Sequence, residues 1–205
     1  MNLQLPLFEP TSEWKSPEDF PDLASYNVIG LDVETRDPRL KELGPGSLRK
    51  DGRLCGISIG LSRNNDQHTE SFYFPIAHEG DGNCNKEAVV DWLKGNLRRK
   101  DLTIVGANIL YDVEWLASEG IEVNGPLIDI SMIEALIEEE AGEGFSLNAL
   151  SNKYLGAPKN EELLREAAKA YGIDPKSGVW MLPPKYVGPY AEWDALGALL
   201  VWQKQ

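Results

Sequence analysis

Histidine and cysteine are scarce in this chain, with two of each among 205 residues. Cys55 and Cys84 lack C-x-x-C spacing, so neither a disulfide framework nor a cysteine zinc site is supported. His68 and His78 are too few for a histidine-rich metal centre, and no G-x-S-x-G elbow accompanies them, which sets aside a serine hydrolase. Both read as loop histidines. No apolar run approaches the roughly 20 residues of a membrane span, and Met1 to Glu13 has no basic-then-apolar signal pattern. A reducing cytoplasm is the natural setting for such a chain.

Positive charge is also short. Twenty Lys and Arg stand against 33 Asp and Glu, a net charge of −13. That balance argues against a protein that coats nucleic acid by bulk attraction. It leaves open an enzyme that holds a strand end through metal ions. The basic residues are unevenly placed: Arg36, Arg39, Lys41, Arg49, Lys50 and Arg53 share one segment with only Asp37, Glu42 and Asp51, a local net of +3. Alone, such a segment is equally well a solvated loop.

Hydrophobic residues make up 42% of the chain and charged ones 26%, enough for a soluble domain with a sizeable core. Residues 1–25, punctuated by Pro6, Pro10, Pro17 and Pro21, read as an irregular lead-in, and 26–205 as the domain. Three strands are expected at about 27–34, 54–62 and 70–76, the last two joined by a hairpin turn at Asn64-Asn65-Asp66. A helix follows at about 86–98, then a buried strand from Leu102 to Ala107, a helix from Tyr111 to Glu119, and a short strand before Ile130. Further helices are expected at about 130–139, after the N-cap Ser146 up to Gly156 and Pro158, and at about 160–171. A Pro/Gly-rich stretch over 172–189 leads into a last helix beginning near Pro189. Strands first, then alternation, then helices describe an α/β fold with a mixed central sheet flanked by helices.

The stretch that organises the rest is Val28-Ile29-Gly30-Leu31-Asp32-Val33-Glu34-Thr35. Its apolar positions read as a central strand, and Asp32 and Glu34, two apart, project from the same face. Two like charges at a core edge repel, and each is costly to desolvate, unless a cation lies between them. Hard oxygen ligands suit Mg²⁺ or Mn²⁺. Asp112 falls in the first turn of a helix, four residues after Asn108. Tyr190 and Asp194 are i and i+4 on the last helix, one turn apart on one face. Each pattern alone has an ordinary explanation: a strand end in water, a dipole-compensating helix starter, a Tyr–Asp surface pair.

Together and in this order, Asp32/Glu34, Asn108/Asp112 and Tyr190/Asp194 resemble the three motifs of the DEDD 3′–5′ exonuclease family, over about residues 25–205. The order of elements is similar to that family's ribonuclease H-like (DnaQ-like exonuclease) fold. Tyr190 matches the tyrosine branch, since Pro189 stands where the other branch has a histidine. That branch includes the proofreading domains of bacterial and phage family-A DNA polymerases. Ala107 departs from the pattern, in which many relatives have histidine.

The resemblance implies two divalent cations, Mg²⁺ or Mn²⁺, held by Asp32, Glu34, Asp112 and Asp194. Asp32 would bridge both, Glu34 and Asp194 would complete one site, and Asp112 would hold the second ion through water. It implies that Tyr190 orients the attacking water rather than serving as a base. Asn108 and Thr35 are candidate substrate contacts, and Arg49 and Lys50 are candidates for the phosphates of the incoming strand. The implied partner is a single-stranded DNA 3′ end, with a polymerase module in cis or in trans, in a bacterial cell and possibly phage-encoded. The chain ends soon after an apolar helix, as an excised proofreading domain or a free-standing nuclease would. Two rivals stand beside this reading: an RNA-processing exonuclease of the same branch, and a nuclease fold kept only as a binding scaffold.

Overall fold

A computed structural model describes residues 9–63, 68–140, 142, 144–157 and 159–205. The expected hairpin turn at Asn64-Asn65-Asp66 and the helix stop at Pro158 lie outside the described residues. The elements run β1 (Val28–Arg36), α1 (Leu40–Leu43), β2 (Arg53–Arg63), β3 (His68–Pro75), α2 (Lys86–Leu97), β4 (Thr103–Gly106), α3 (Ile109–Ser118), β5 (Leu127–Asp129), α4 (Ile130–Ile137), α5 (Leu147–Leu155), α6 (Glu162–Tyr171), a 3₁₀ turn (Val179–Met181) and α7 (Pro184–Lys204). The sheet order is β3-β2-β1-β4-β5. The β1–β2 and β2–β3 pairs are antiparallel, whereas β1–β4 and β4–β5 are parallel. This is the mixed sheet expected from the alternation of elements.

Alternation along β1 assigns its two faces. Ile29, Leu31 and Val33 point one way, into a core shared with Ile57, Ile59, Leu93, Ile104, Trp115 and Leu116 beneath α2 and α3. Gly30, Asp32 and Glu34 point the other way, toward α7. Their partners on β2 are Gly60, Ser58 and Gly56, so small residues stand opposite the two acids. At Gly30 an added Cβ would lie 2.0 Å from the carbonyl oxygen of Ala195, and at Gly60 one would lie 2.6 Å from the backbone of Leu196. Only glycine lets the helix backbone rest directly on the sheet there.

Two features depart from the expected elements. The basic segment contains a single helical turn, α1, inside what reads as loop. The last helix starts at Pro184 rather than near Pro189, so Pro189 lies inside it. A helical proline has no N–H for the carbonyl four residues back, here that of Lys185. The hydroxyl of Ser12 supplies the missing donor, 2.6 Å from the Lys185 oxygen. Around it, residues 9–25 form no strand or helix but lie against the domain. The Trp14 indole covers Gly188 and donates to Glu192 Oε1 at 2.9 Å, and Leu23 is 1% exposed within the main core.

Helix ends follow local chemistry. Asn85 caps α2 through the Ala88 N–H at 2.8 Å, and Ser146 caps α5 as its position in the sequence implies, through the Ala149 N–H at 3.3 Å. Gly156 and Gly172 close α5 and α6 with φ of 64° and 66°, a conformation that costs glycine little.

Candidate active site

The sheet and α7 bring three of the four predicted acids to one place. Asp32 and Glu34 stand on the β1 face that α7 crosses, and Asp194 sits beside Ala195, the residue whose carbonyl meets Gly30. Ligand oxygens of Asp32, Glu34 and Asp194 all lie within 4.8 Å of one another, the only such group of three among the described residues. Just past the acids, β1 and β2 shift register between Glu34 and Thr35, with Gly56 opposite the former and Leu54 opposite the latter. A bulge of this kind ends regular pairing next to a site and re-aims the side chains beyond it.

Asp112 lies apart from that trio. It is in the first turn of α3, and its Oδ1 accepts the backbone N–H of Val33 at 3.0 Å. The β4 ladder ends at Gly30, so Asp112 serves a strand edge with no strand beside it. Its charge still raises the carboxyl of Asp32. Tyr190 and Asp194 share a face of α7, as their spacing implies.

Burial is the main electrostatic fact of the site, with mutual repulsion second. Both push the Asp32 carboxyl well above the ordinary range. Glu34 is raised to about 8, by burial first and then by the Asp194 charge. The phenol of Tyr190 is pushed far above its usual value by burial and by Glu34, Asp194 and Asp32, so it stays protonated. Asp194 is also raised by burial, against the pull of Lys159. Such a group of carboxylates is protonated or repulsive unless a cation joins it. Asp194 Oδ1 is buried with no hydrogen-bond partner. An all-oxygen donor set with one orphaned carboxylate oxygen fits a hard divalent cation.

One cation of the chain's own is already present. Lys159, in the loop between α5 and α6, pairs with Asp194 Oδ2, and its Nζ lies 3.2 Å from the centroid of the Tyr190 ring. Nothing in the sequence around Lys159 marked it, because the contact is made by a loop 35 residues before its partner.

The remaining candidates flank the acids. Glu34, Thr35, Leu40, Pro45, Asn108, Leu110 and Tyr111 line a cleft of about 430 Å³. Asn108 precedes α3 with φ 61° and makes no side-chain cap bond. Thr35 Oγ1 lies 2.7 Å from the Tyr111 hydroxyl. Arg49 departs from expectation. Its Nη1 donates to the carbonyls of Leu43, Gly44 and Pro45 at 2.9, 3.0 and 2.9 Å, and its Nε to Asp51 at 3.3 Å. Its guanidinium therefore ties off the α1 turn rather than facing a ligand. Lys50, with φ 57°, is exposed.

The model of the 3′–5′ exonuclease family matches residues 17–204 of this chain. The chain belongs to that family. A DNA-directed DNA polymerase of Pseudomonas phage M6 is 38% identical to the domain over 99% of this chain and 31% of its own length. DNA polymerase DpoZ of Acinetobacter phage SH-Ab 15497 is 27% identical over 91% of this chain and 27% of its own length. The exonuclease domain thus spans less than a third of the length of the curated relatives it matches. Among solved structures it resembles Brucella melitensis NrnC bound to pGG, with TM-score 0.55, 14% identity, and coverage of 90% of this chain and 75% of that one. An apo nuclease is similar, with TM-score 0.53, 16% identity, and 86% and 70% coverage. The fold is the ribonuclease H-like one that the motifs imply, and the domain is a 3′–5′ exonuclease. No helix among the described residues is long and apolar enough to cross a membrane.

Proposed function

We propose that this domain removes nucleoside monophosphates from the 3′ end of single-stranded or frayed DNA, as the proofreading unit of a phage-type DNA polymerase joined to it in cis or docked in trans. The observation that carries the reading is the match to a phage DNA polymerase across nearly the whole chain, joined to the three-carboxylate cluster at its site. Residues 26–205 are the catalytic unit in this reading, with the lead-in packed against it.

Asp32, Glu34 and Asp194 would hold the divalent cations, Mg²⁺ or Mn²⁺, with Asp112 on the α3 side. When bound, such ions neutralise charge at the phosphate and make water a better nucleophile. The chain's own groups do the rest. Tyr190, kept protonated by its surroundings, orients the attacking water by donating or accepting one hydrogen bond and removes no proton itself. Thr35 and Asn108 contact the terminal nucleotide in the cleft beside Glu34. Lys50, on the exposed side of the basic segment, meets the phosphates of the incoming strand. A bacterial cytoplasm infected by a phage is the proposed setting.

A time course on 5′-labelled single-stranded DNA, matched RNA and mismatched primer–template, with Mg²⁺, Mn²⁺ or EDTA, tests this. The expected result is stepwise shortening of both DNAs, fastest at the mismatch, and none in EDTA. Preference for RNA over DNA would reassign the substrate to the ribonucleolytic alternative.

A further inference from the structure

Lys159 is held from two sides. Its backbone N–H donates to Asn148 Oδ1 of α5 at 3.2 Å, and its ammonium pairs with Asp194 above the ring of Tyr190. Both side chains of the pair are only 8% exposed. The cost of taking an ammonium out of water is recovered only where opposite charge is concentrated, and here three carboxylates converge. Ligand oxygens of Asp32 and Glu34 lie within 4.8 Å of that of Asp194, so the ammonium paired with Asp194 acts on all three charges. It is therefore the cluster's counter-charge as a whole, not the partner of one acid.

We propose that Lys159 is the resident counter-cation of the carboxylate cluster, neutralising it in the metal-free domain and giving way when a divalent ion binds. This inference rests on the reading of the cluster as a metal site. An ammonium and a divalent ion on the same acids repel, so loading requires the lysine to withdraw. The loop that carries it borders an open groove lined by Asn148, Asn160, Arg165 and Lys176, into which a four-carbon side chain can turn. The apparent affinity for metal is lowered by the fraction of molecules in which Lys159 holds the acids.

Mn²⁺ titration by calorimetry of the wild type, Lys159→Met and the double variant Asp32→Asn/Asp194→Asn tests the exchange. Lys159→Met should bind Mn²⁺ roughly tenfold more tightly than the wild type, while the double variant binds none. Melting in EDTA should be lower for Lys159→Met than for the wild type, with the gap closing at saturating Mn²⁺. Equal or weaker Mn²⁺ binding by Lys159→Met overturns the counter-cation role and leaves the metal site standing. Absence of Mn²⁺ binding by every protein overturns both. Should Lys159→Met not fold, acetylation of the native wild type, read at Lys159 by mass spectrometry, decides the matter. Expected is protection in EDTA and at least roughly tenfold faster labelling with Mn²⁺; the same rate in both overturns the proposal.

Discussion

Asp194 carries more of the site than its neighbours because it faces two ways, with Oδ2 on Lys159 and Oδ1 buried without a partner. Replacing it by asparagine keeps the volume and removes the charge. Asp194→Asn should lower kcat by about 10³-fold or more while the domain stays folded, because relief of repulsion with Asp32 and Glu34 offsets part of the cost of leaving Lys159 without its buried partner. Steady-state kinetics with a parallel thermal melt checks it. His78 lies outside the site and shows a different use of burial. Its Nδ1 donates to the Leu182 carbonyl at 3.1 Å, which leaves Nε2 to accept from the Tyr73 hydroxyl. Burial lowers its pKa to about 4. Between about 6.5, the unfolded value, and about 4, the unfolded chain takes a proton that the folded chain refuses. Stability is therefore full above that window and falls on acidification through it, by on the order of 3 kcal/mol at most. Denaturation curves from pH 7 to 4 should show this slope flattened in His78→Gln. The sequence gives no hint of that role: as a loop histidine His78 reads correctly, but its buried partners are set by Tyr73 on β3 and by Leu182 from far along the chain.

At the scale of elements, strand and helix identities follow from periodicity, and the places where they fail have a common cause. The spacing of Asp32 and Glu34 was legible because a strand's two-residue period is local, and so was the one-turn spacing of Tyr190 and Asp194. The start of α7 was not legible. Proline inside a helix is locally unfavourable, and what relieves it is a serine 173 residues away. That relief can be measured. Ser12→Ala should cost about 1 kcal/mol in the wild type by leaving the Lys185 carbonyl unsatisfied. In a Pro189→Ala background it should cost much less, since residue 189 then offers its own N–H. A double-mutant cycle by urea denaturation reads the coupling, and additive costs would refute the pairing. Arg49 shows the same limit from the other side: its charge suggested a phosphate ligand, but three backbone carbonyls at the end of α1 claim it first.

For the molecule as a whole, the lead-in belongs to the packing of the domain. Leu23 is a core residue, Phe20 stacks on Trp92 with ring centroids 5.0 Å apart, and Glu9 accepts hydrogen bonds from Tyr171 and Tyr186, both at 3.0 Å. A chain shortened to 26–205 should melt well below the full chain, since loss of Leu23 alone is worth about 2–5 kcal/mol. Its residual activity at low temperature should fall further than its folded fraction, because Ser12 and Trp14 brace the same helix that carries Tyr190. Circular dichroism melts beside initial rates would show it. The layers themselves set a last consequence. Where α7 meets β1 and β2 there is no side-chain cushion, only peptide against peptide at Gly30 and Gly60. The two layers cannot ease apart there without breaking that contact, so whatever repulsion a chelator leaves uncancelled acts as a wedge on that joint. Removing the cation should thus be felt first as looser amides in the middle of α7, well before the sheet itself gives way.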